Sequence, residues 1–355
     1  MKEKISELFK STCLEQALLF SRHQSQPYFS YFTGLPLSQF EGNALVLAKG
    51  KKPLVITNRL WQGLLEKRKE FDAATIEHSK EFIEMLQKKL PAGKVGANYH
   101  DFSTAGLARL KRRLKGKNLV NISKALEKLR ETKTKGEIKK IARAVKITER
   151  ALETVPSLVK KGITERALAK RIEIEMLENG ADTTAFPVIA ASGKGGAIPH
   201  YIPAEKKIGK GFLVVDCGAR FENYCADLSR TFFVGRASEQ EKTLYEMISR
   251  AKIAAEKKAA PGAKALELFN AAESVLSKKD FKMVHSLGHG IGLLDHDFPG
   301  GIGPKSKWKF ESGMCFAIEP AIYGKFGGIR IEDDYFMEKK KLARFSRAPK
   351  ELAEI

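Results

Sequence analysis

The stretch FLVVDCGARFENYCADLSRTFFV (212–234) decides how the second half of this chain folds. Two β-branched and aromatic runs flank a short polar centre, the pattern of two strands with a tight connection. A hairpin centred near Phe221-Glu222 places Asp216 opposite Asp227 on one face, with Cβ atoms about 4.5–5.5 Å apart. Like charges that close repel unless a cation or a proton lies between them. A lone aspartate is commonly a turn or surface residue. Asp216, however, follows the apolar run FLVV, where a bare charge is costly.

CFAIEPAIYGKFGGIRIEDD (315–334) has the same form. It predicts a hairpin turning at Gly324 to Gly328, with Glu319 and Glu332 opposed. Glu319 again follows an apolar run. Four clustered carboxylates carry about four negative charges, which two divalent cations would neutralise. That argues for a dinuclear site bridged by carboxylates, with metals about 3.5–4 Å apart. Imidazole is the natural completion. Of the seven histidines, His200, His285, His289 and His296 lie in this half. His289 sits in GHGIG (288–292), whose glycines allow a close backbone approach. No strand–loop–helix context with a downstream acidic partner surrounds GHGIG, which excludes a nucleotide-binding loop.

Working outward, the two hairpins each follow a pair of helices. The first helix covers about 135–159, with Ile138, Ile141, Val145, Leu152 and Val155 on one face. Thr164 caps the next, where Leu168, Ile172 and Met176 are spaced by four. Ser238 and Glu241 form a capping box for a third helix bearing Leu244, Ile248, Ala251 and Ala255. Pro261-Gly262 ends it, and a fourth helix follows over about 263–277. FKMVHSL (281–287) reads as a strand. The repeated order of helix, helix and hairpin suggests an internal duplication.

Residues 1–125 read as a separate α/β domain. The first 20 residues have an amphipathic helix pattern. ALVLA (44–48) and PLVIT (53–57) are paired strands joined by KGKK. A helix through EFIEMLQKKL stops at Pro91, KVGAN is a strand, a helix capped by Asp101 or Ser103 follows, and NLVNI is another strand. The charged segment EKLRETKTKGE (127–137) carries the boundary to a second domain, 126–355. The fold class is α+β.

The chain has 355 residues, enough for two domains with their own cores. No run of about 18 apolar residues exists, so no membrane helix is expected. The N-terminus lacks a signal-peptide pattern. The four cysteines form no Cys-x-x-Cys pair and are too sparse for a disulfide scaffold. A cytoplasmic protein with reduced cysteines is expected. The net charge is +21. With no zinc-finger spacing, aromatic-interleaved basic platform or RNA-binding motif, it reads as a lysine-rich solvated surface and not as a nucleic-acid site.

Five motifs now accumulate in order: ASGKGGAIPHY (191–201), VVDCGARFENYCADLSRTF (214–232), HSLGHGIGLLDHDFP (285–299), AIEPAIY (317–323) and GIRIEDD (328–334). Together they resemble the pita-bread metallopeptidases, a family that includes proline dipeptidase, aminopeptidase P, methionine aminopeptidase and creatinase. SRHQSQPYFSYFTGLP (21–36) resembles the entry to a creatinase-type N-terminal domain. The resemblance implies a duplicated helix–helix–hairpin catalytic domain. It also implies that Asp216, Asp227, His289, Glu319 and Glu332 are the metal ligands, and that Glu319 accepts the proton of the attacking water. His200 would stabilise the intermediate or protonate the leaving nitrogen, His296 would lie near the substrate carbonyl, and His285 and Arg330 would line the substrate pocket. Arg330 is two residues before Glu332, so on a strand the two share a face.

The implied cofactor is two divalent ions, Mn, Co, Zn or Fe with Mn favoured. The implied reaction is hydroxide attack on the carbonyl before proline. The implied partner is a proline-containing dipeptide or peptide, acted on by a homodimer. Alternatives on the same scaffold are a methionine-removing or creatinase-type hydrolase, and a non-catalytic binding relative. Relatives of that last kind lose metal ligands, whereas all five residues stand here. The chain departs from the family at Asp297, where Glu is usual, and at Gly195-Gly196, where Asn-Ser is usual. Neither position is a ligand.

Overall fold

The computed structural model describes residues 2–21, 27–37, 42–159 and 162–355. The chain divides into two compact units, Met1–Leu129 and Arg130–Ile355.

In the first unit, the helix Lys2–Thr12 buries Ile5, Leu8 and Phe9. It ends at Cys13, whose φ of 54° is left-handed. The amphipathic pattern of residues 1–20 therefore covers only this helix, and Gln16–Ser21 is a strand. Ala17, Leu18, Leu19 and Phe20 are all buried, as suits a strand covered on both faces. It lies inside a six-stranded sheet, ordered Asp72–Ile76, Leu54–Asn58, Asn43–Ala48, Gln16–Ser21, Gly93–Ala97 and Lys117–Asn121. The pairing of Asn43–Ala48 with Leu54–Asn58 is antiparallel, as the KGKK turn predicts. Helix Ser79–Lys89 ends before Pro91, and Ser103 caps Thr104–Arg113 by accepting from Gly106 N. Leu18, Val46, Ile56, Val95 and Leu119 pack with Leu86, Leu110 and Leu114 as the core. Of the SRHQSQPYFSYFTGLP segment, residues 22–26 lie outside the described residues. Pro27–Thr33 is a buried helix.

The boundary segment holds a helix that sequence reading missed. Ser123–Glu131 is helical, with Leu126 and Leu129 buried. Its charged residues mask the two-leucine stripe. The division between units falls within it, at Leu129/Arg130, later than residue 125.

The second unit begins with the helix Lys135–Glu153, closed by a Thr134/Glu137 capping box. A short helix, Val155–Val159, replaces the last part of the single helix expected over 135–159. Thr164 caps Glu165–Glu178, and Leu168, Ile172 and Met176 are buried. The first hairpin follows, Gly211–Cys217 with Leu228–Val234. The order repeats with Glu239–Lys258, capped by the Ser238/Glu241 box, and Ala265–Leu276. The second hairpin, residues 315–337, closes the repeat. Residues 281–287 are not a strand. The Glu273 carboxylate takes the Met283 amide, and a side-chain acceptor of this kind competes with a sheet ladder. Ile248, Ala251, Leu268 and Ala272 pack against Phe316, Ile318, Ile329 and Ile331, which places the hairpins' apolar faces on this helix pair. Among the described residues, no helix is long and apolar enough to cross a membrane. Cys217, Cys225 and Cys315 are buried free thiols, and Cys13 is exposed.

Candidate metal centre

The first hairpin is turned one residue later than its sequence suggests. Phe221 pairs with Tyr224, so Glu222 and Asn223 form the turn. Both have positive φ, 45° and 73°, the two-residue geometry that matches strand twist. The Glu222 amide donates to Asp182 Oδ2 at 2.6 Å, which anchors the turn there. Asp216 consequently faces Ser229, not Asp227. Asp227 is two residues from Ser229, and the period of two keeps it on the same face as Asp216. The direct opposition is corrected, while the shared face stands.

In the second hairpin, Ile318 pairs with Asp333 and Ala321 with Arg330 in one continuous register. Glu319 and Glu332 are opposed within the gap between these paired segments. Their amides point elsewhere: Glu319 N donates to Leu287 O at 2.7 Å, and Glu332 N to Ser229 O at 3.0 Å. The second bond ties the two hairpins together.

His289 comes from the strand Gly288–Gly290. A Cβ at Gly288 would lie 2.0 Å from Ala317 O, and one at Gly290 2.0 Å from Pro299 O. Only glycine permits that strand to sit between its neighbours. His289 Nδ1 donates to Gly290 O at 3.2 Å, which leaves Nε2 with a lone pair. Nε2 faces Asp227 Oδ2 at 3.6 Å, Glu319 Oε1 at 3.6 Å and Glu332 Oε1 at 3.9 Å. These gaps exceed a hydrogen bond and suit a cation between the groups.

The electrostatics agree. Burial, then repulsion from Glu332 and Asp216, raises the Asp227 carboxyl well above its usual range. Burial and Glu332 raise Glu319 in the same way. Burial and Asp216 push Glu332 up to about 7. Burial and the neighbouring His296 push His289 down to about 3, so its imidazole is neutral and able to ligate. Asp216 Oδ1, Asp227 Oδ1 and Glu332 Oε1 are buried with no hydrogen-bond partner among the described residues. Buried carboxylate oxygens are rarely left so. Donor atoms of Asp216, Asp227 and Glu332 lie within 4.8 Å of one another, as do those of His289, Glu319 and Glu332. Asp227, His289 and His296 form a third such group. The residues fit divalent cations on this donor chemistry.

Around these groups runs a hydrogen-bonded shell. Arg330 Nη2 meets Asp216 Oδ2 at 2.6 Å, Nε donates to Ser229 Oγ at 2.9 Å, and Nη1 donates to Tyr323 OH at 3.0 Å. Ser229 Oγ donates to Glu332 Oε2 at 2.7 Å. His285 bonds Ser286 O through Nδ1 at 2.7 Å and Tyr323 OH through Nε2 at 2.9 Å. Its pKa is lowered, chiefly by burial. Behind the second hairpin, Asp333 is gripped by Arg230 at 2.6 Å and Lys252 at 3.1 Å. Lys252 Nζ also donates to Ile318 O at 3.0 Å and Arg230 Nη1 to Glu332 O at 2.5 Å, each beside or at a carboxylate of the cluster.

A cavity of about 380 Å³ opens on the cluster, lined by His200, His285, His289, His296, Arg330 and the four carboxylates. A neighbouring space of about 260 Å³ shares His200, His296, Asp216 and Asp227 and is walled by Phe186, Pro187, Ile189, Tyr201 and Ile202. His296 stacks on His289, with ring centroids 3.7 Å apart and planes 14° apart. All the site residues read from sequence are thus gathered here. Sequence reading missed Ser229 and Tyr323. Tyr323 is four residues after Glu319, an even spacing on an extended chain that could have flagged it.

The departures have local reasons. Asp297 takes the amides of Leu293 and Phe298 at 2.8 and 2.7 Å and pairs with Arg130 at 2.6 Å, holding the turn that carries His296. A Cβ at Gly195 would lie 2.7 Å from the Tyr201 ring.

The sequence pattern described as metallopeptidase family M24 matches residues 139–339, and that of the creatinase/prolidase N-terminal domain matches residues 2–132. A Xaa-Pro dipeptidase of Pyrococcus furiosus is 31% identical over 91% of this chain and 91% of its own. Among solved structures, recombinant prolidase from Thermococcus sibiricus superposes with a TM-score of 0.89 at 32% identity, covering 100% of this chain and 98% of that one. X-Pro aminopeptidase from Thermotoga maritima gives 0.89 at 26% identity, covering 96% and 98%. The family implies divalent metal ions, which is what the carboxylate and imidazole cluster is suited to hold. The chain belongs to metallopeptidase family M24 and carries the creatinase/prolidase N-terminal domain.

Proposed function

We propose that this chain hydrolyses the bond preceding proline, in dipeptides or at peptide N-termini. Two divalent ions, manganese first among Mn, Co, Zn and Fe, would be held by Asp216, Asp227, His289, Glu319 and Glu332. The observation that carries the reading is the convergence of these five side chains with three orphaned carboxylate oxygens buried among them. The preference for proline is supported by the named relatives.

Bound there, the ions would polarise the scissile carbonyl and lower the pKa of a bound water. The chain's own residues do the rest. Glu319 has the most exposed side chain of the four carboxylates, 15% against 12% for Asp216, 7% for Asp227 and 2% for Glu332. Facing the cavity most openly, it suits the acceptor of the water's proton. A proline nitrogen has no N–H in the peptide and must gain a proton to leave. His200 borders both cavities and would give it. His285, kept neutral by burial and held by Tyr323 and Ser286, would meet the substrate, with His296 beside the carbonyl. Arg330 borders the same cavity while its guanidinium fixes Asp216 and Tyr323. A cytoplasmic location and a homodimer complete the proposal, and light scattering would check the dimer.

The test compares Xaa-Pro dipeptides with longer Xaa-Pro peptides in Mn²⁺ or Co²⁺. Cleavage of either class supports the reading and says which substrate is preferred. If two metals bind and neither class is cut, the proline reading fails.

A further inference from the structure

Glu165 is fully buried, at the first turn of the helix Glu165–Glu178, outside the carboxylate cluster. Its carboxylate accepts four hydrogen bonds, all from the loop that carries His200. Oε1 accepts from Ser192 N at 2.9 Å and Ser192 Oγ at 2.6 Å. Oε2 accepts from Tyr201 OH at 2.8 Å and Ala204 N at 3.3 Å. Both ends of the loop and its centre are therefore tied to one side chain. The helix start adds to this, since Glu165 N donates to Lys206 O and Arg166 N to Ala204 O, each at 3.0 Å. Burial acts to raise the Glu165 pKa, but the donors from Ser192, Tyr201 and Ala204 outweigh it and hold the carboxylate ionised.

His200 is bracketed by this arrangement. On one side the Pro199 carbonyl accepts from Arg330 Nη1 at 3.4 Å. On the other, the Tyr201 hydroxyl reaches Glu165. The Tyr201 ring lies over Gly195, where any Cβ would strike it. The loop's other contact is equally tight, because a Cβ at Gly328 would lie 1.9 Å from Gly196 O. Gly195 and Gly196 thus let the loop close both onto its own tyrosine and onto the second hairpin. His200 itself is exposed, and among the described residues its ring has no such anchor, so its placement depends on its neighbours.

We propose that Glu165 is the positioning residue of His200, acting through Tyr201 and the two ends of loop 192–206. The proposal deepens the functional reading above and rests on it for the role of His200.

The test is a double-mutant cycle in the full-length, Mn²⁺-loaded protein, combined with amide hydrogen exchange. Glu165→Gln keeps the side-chain size but cannot accept all four bonds. It should lower kcat by up to about 10²-fold, with KM and metal content little changed. His200→Ala should also lower kcat, and the double variant should be no slower than His200→Ala alone. Tyr201→Phe, which removes one hydroxyl, should show a smaller loss of the same kind. Exchange in Glu165→Gln should quicken across 192–206 and not in the hairpin 211–234. Effects that multiply in the double variant, or wild-type exchange and turnover in Glu165→Gln and Tyr201→Phe, would overturn the proposal. If the wild type cuts no Xaa-Pro substrate while exchange across 192–206 still quickens, the functional reading fails and the clasp stands.

Discussion

Arg330 Nη2 lies 2.6 Å from Asp216 Oδ2, so a cation from the second hairpin is bonded to a carboxylate of the first. Both side chains are nearly buried, and the same guanidinium reaches Ser229 and Tyr323. The four carboxylates of the candidate centre are thereby drawn from two hairpins that one guanidinium holds together. Lysine carries the charge but lacks the fork that makes three bonds at once. Arg330→Lys should lower kcat/KM by about 10- to 100-fold at saturating Mn²⁺, as steady-state kinetics would show.

Ser229 links the same two groups, accepting from Arg330 Nε and donating to Glu332 Oε2. Ser229→Ala leaves a buried donor and a buried acceptor unpaired. A loss of about 1–3 kcal/mol in stability is expected, measured by urea unfolding of the metal-free protein. Metal affinity, measured by calorimetry, should weaken as well.

Repulsion among the carboxylates predicts a pH dependence of the metal-free protein. Glu332 is raised from 4.5 to about 7 in the fold. A carboxyl whose folded pKa is raised binds its proton more tightly in the folded state, so its contribution to stability is complete below pH 4.5 and is lost as pH rises through 7. Lowered pKa values at His285 and His289 act in the opposite sense, so the comparison is made against a variant. In EDTA, Glu332→Gln should gain thermal stability relative to wild type as pH rises from 4.5 to 7. With Mn²⁺ the order should reverse.

The contact between Gly196 and Gly328 predicts a steric effect. Gly328→Ala should cost about 1–3 kcal/mol or more and slow turnover, because the loop bearing His200 must move. Gly63→Ala, where a Cβ meets nothing within 4 Å, is the control and should be close to neutral in thermal melts.

The second hairpin was legible in sequence to its register, because Gly324, Gly327 and Gly328 mark its turn. The first was read one residue out. Its turn residues, Glu222 and Asn223, take positive φ without a glycine, and Asn223 was the only clue. Strand periodicity made the error harmless for the face on which Asp216 and Asp227 lie. The N-terminal pattern merged a helix with a strand because ALLF is apolar on both faces and satisfies either period. FKMVHSL alternates like a strand, but its amide at Met283 is taken by Glu273, a contact ten residues back that no local pattern shows. Ser229 and Tyr323 lie inside quoted motifs without standing out in them, and Glu165 lies in none. Their importance lies in which side chains they touch, and that appears only when the hairpins and the 192–206 loop are brought together.

A two-metal hydrolytic site built from these five side chains has a stoichiometric signature. The most direct measurement is stepwise return of Mn²⁺ to EDTA-stripped protein while hydrolysis of an Ala-Pro substrate is followed, for wild type and Asp227→Asn. No cleavage is expected without metal, with activity rising to a plateau near two equivalents per chain and no recovery in Asp227→Asn. Full activity in EDTA, or restored activity in Asp227→Asn, would contradict a two-metal site.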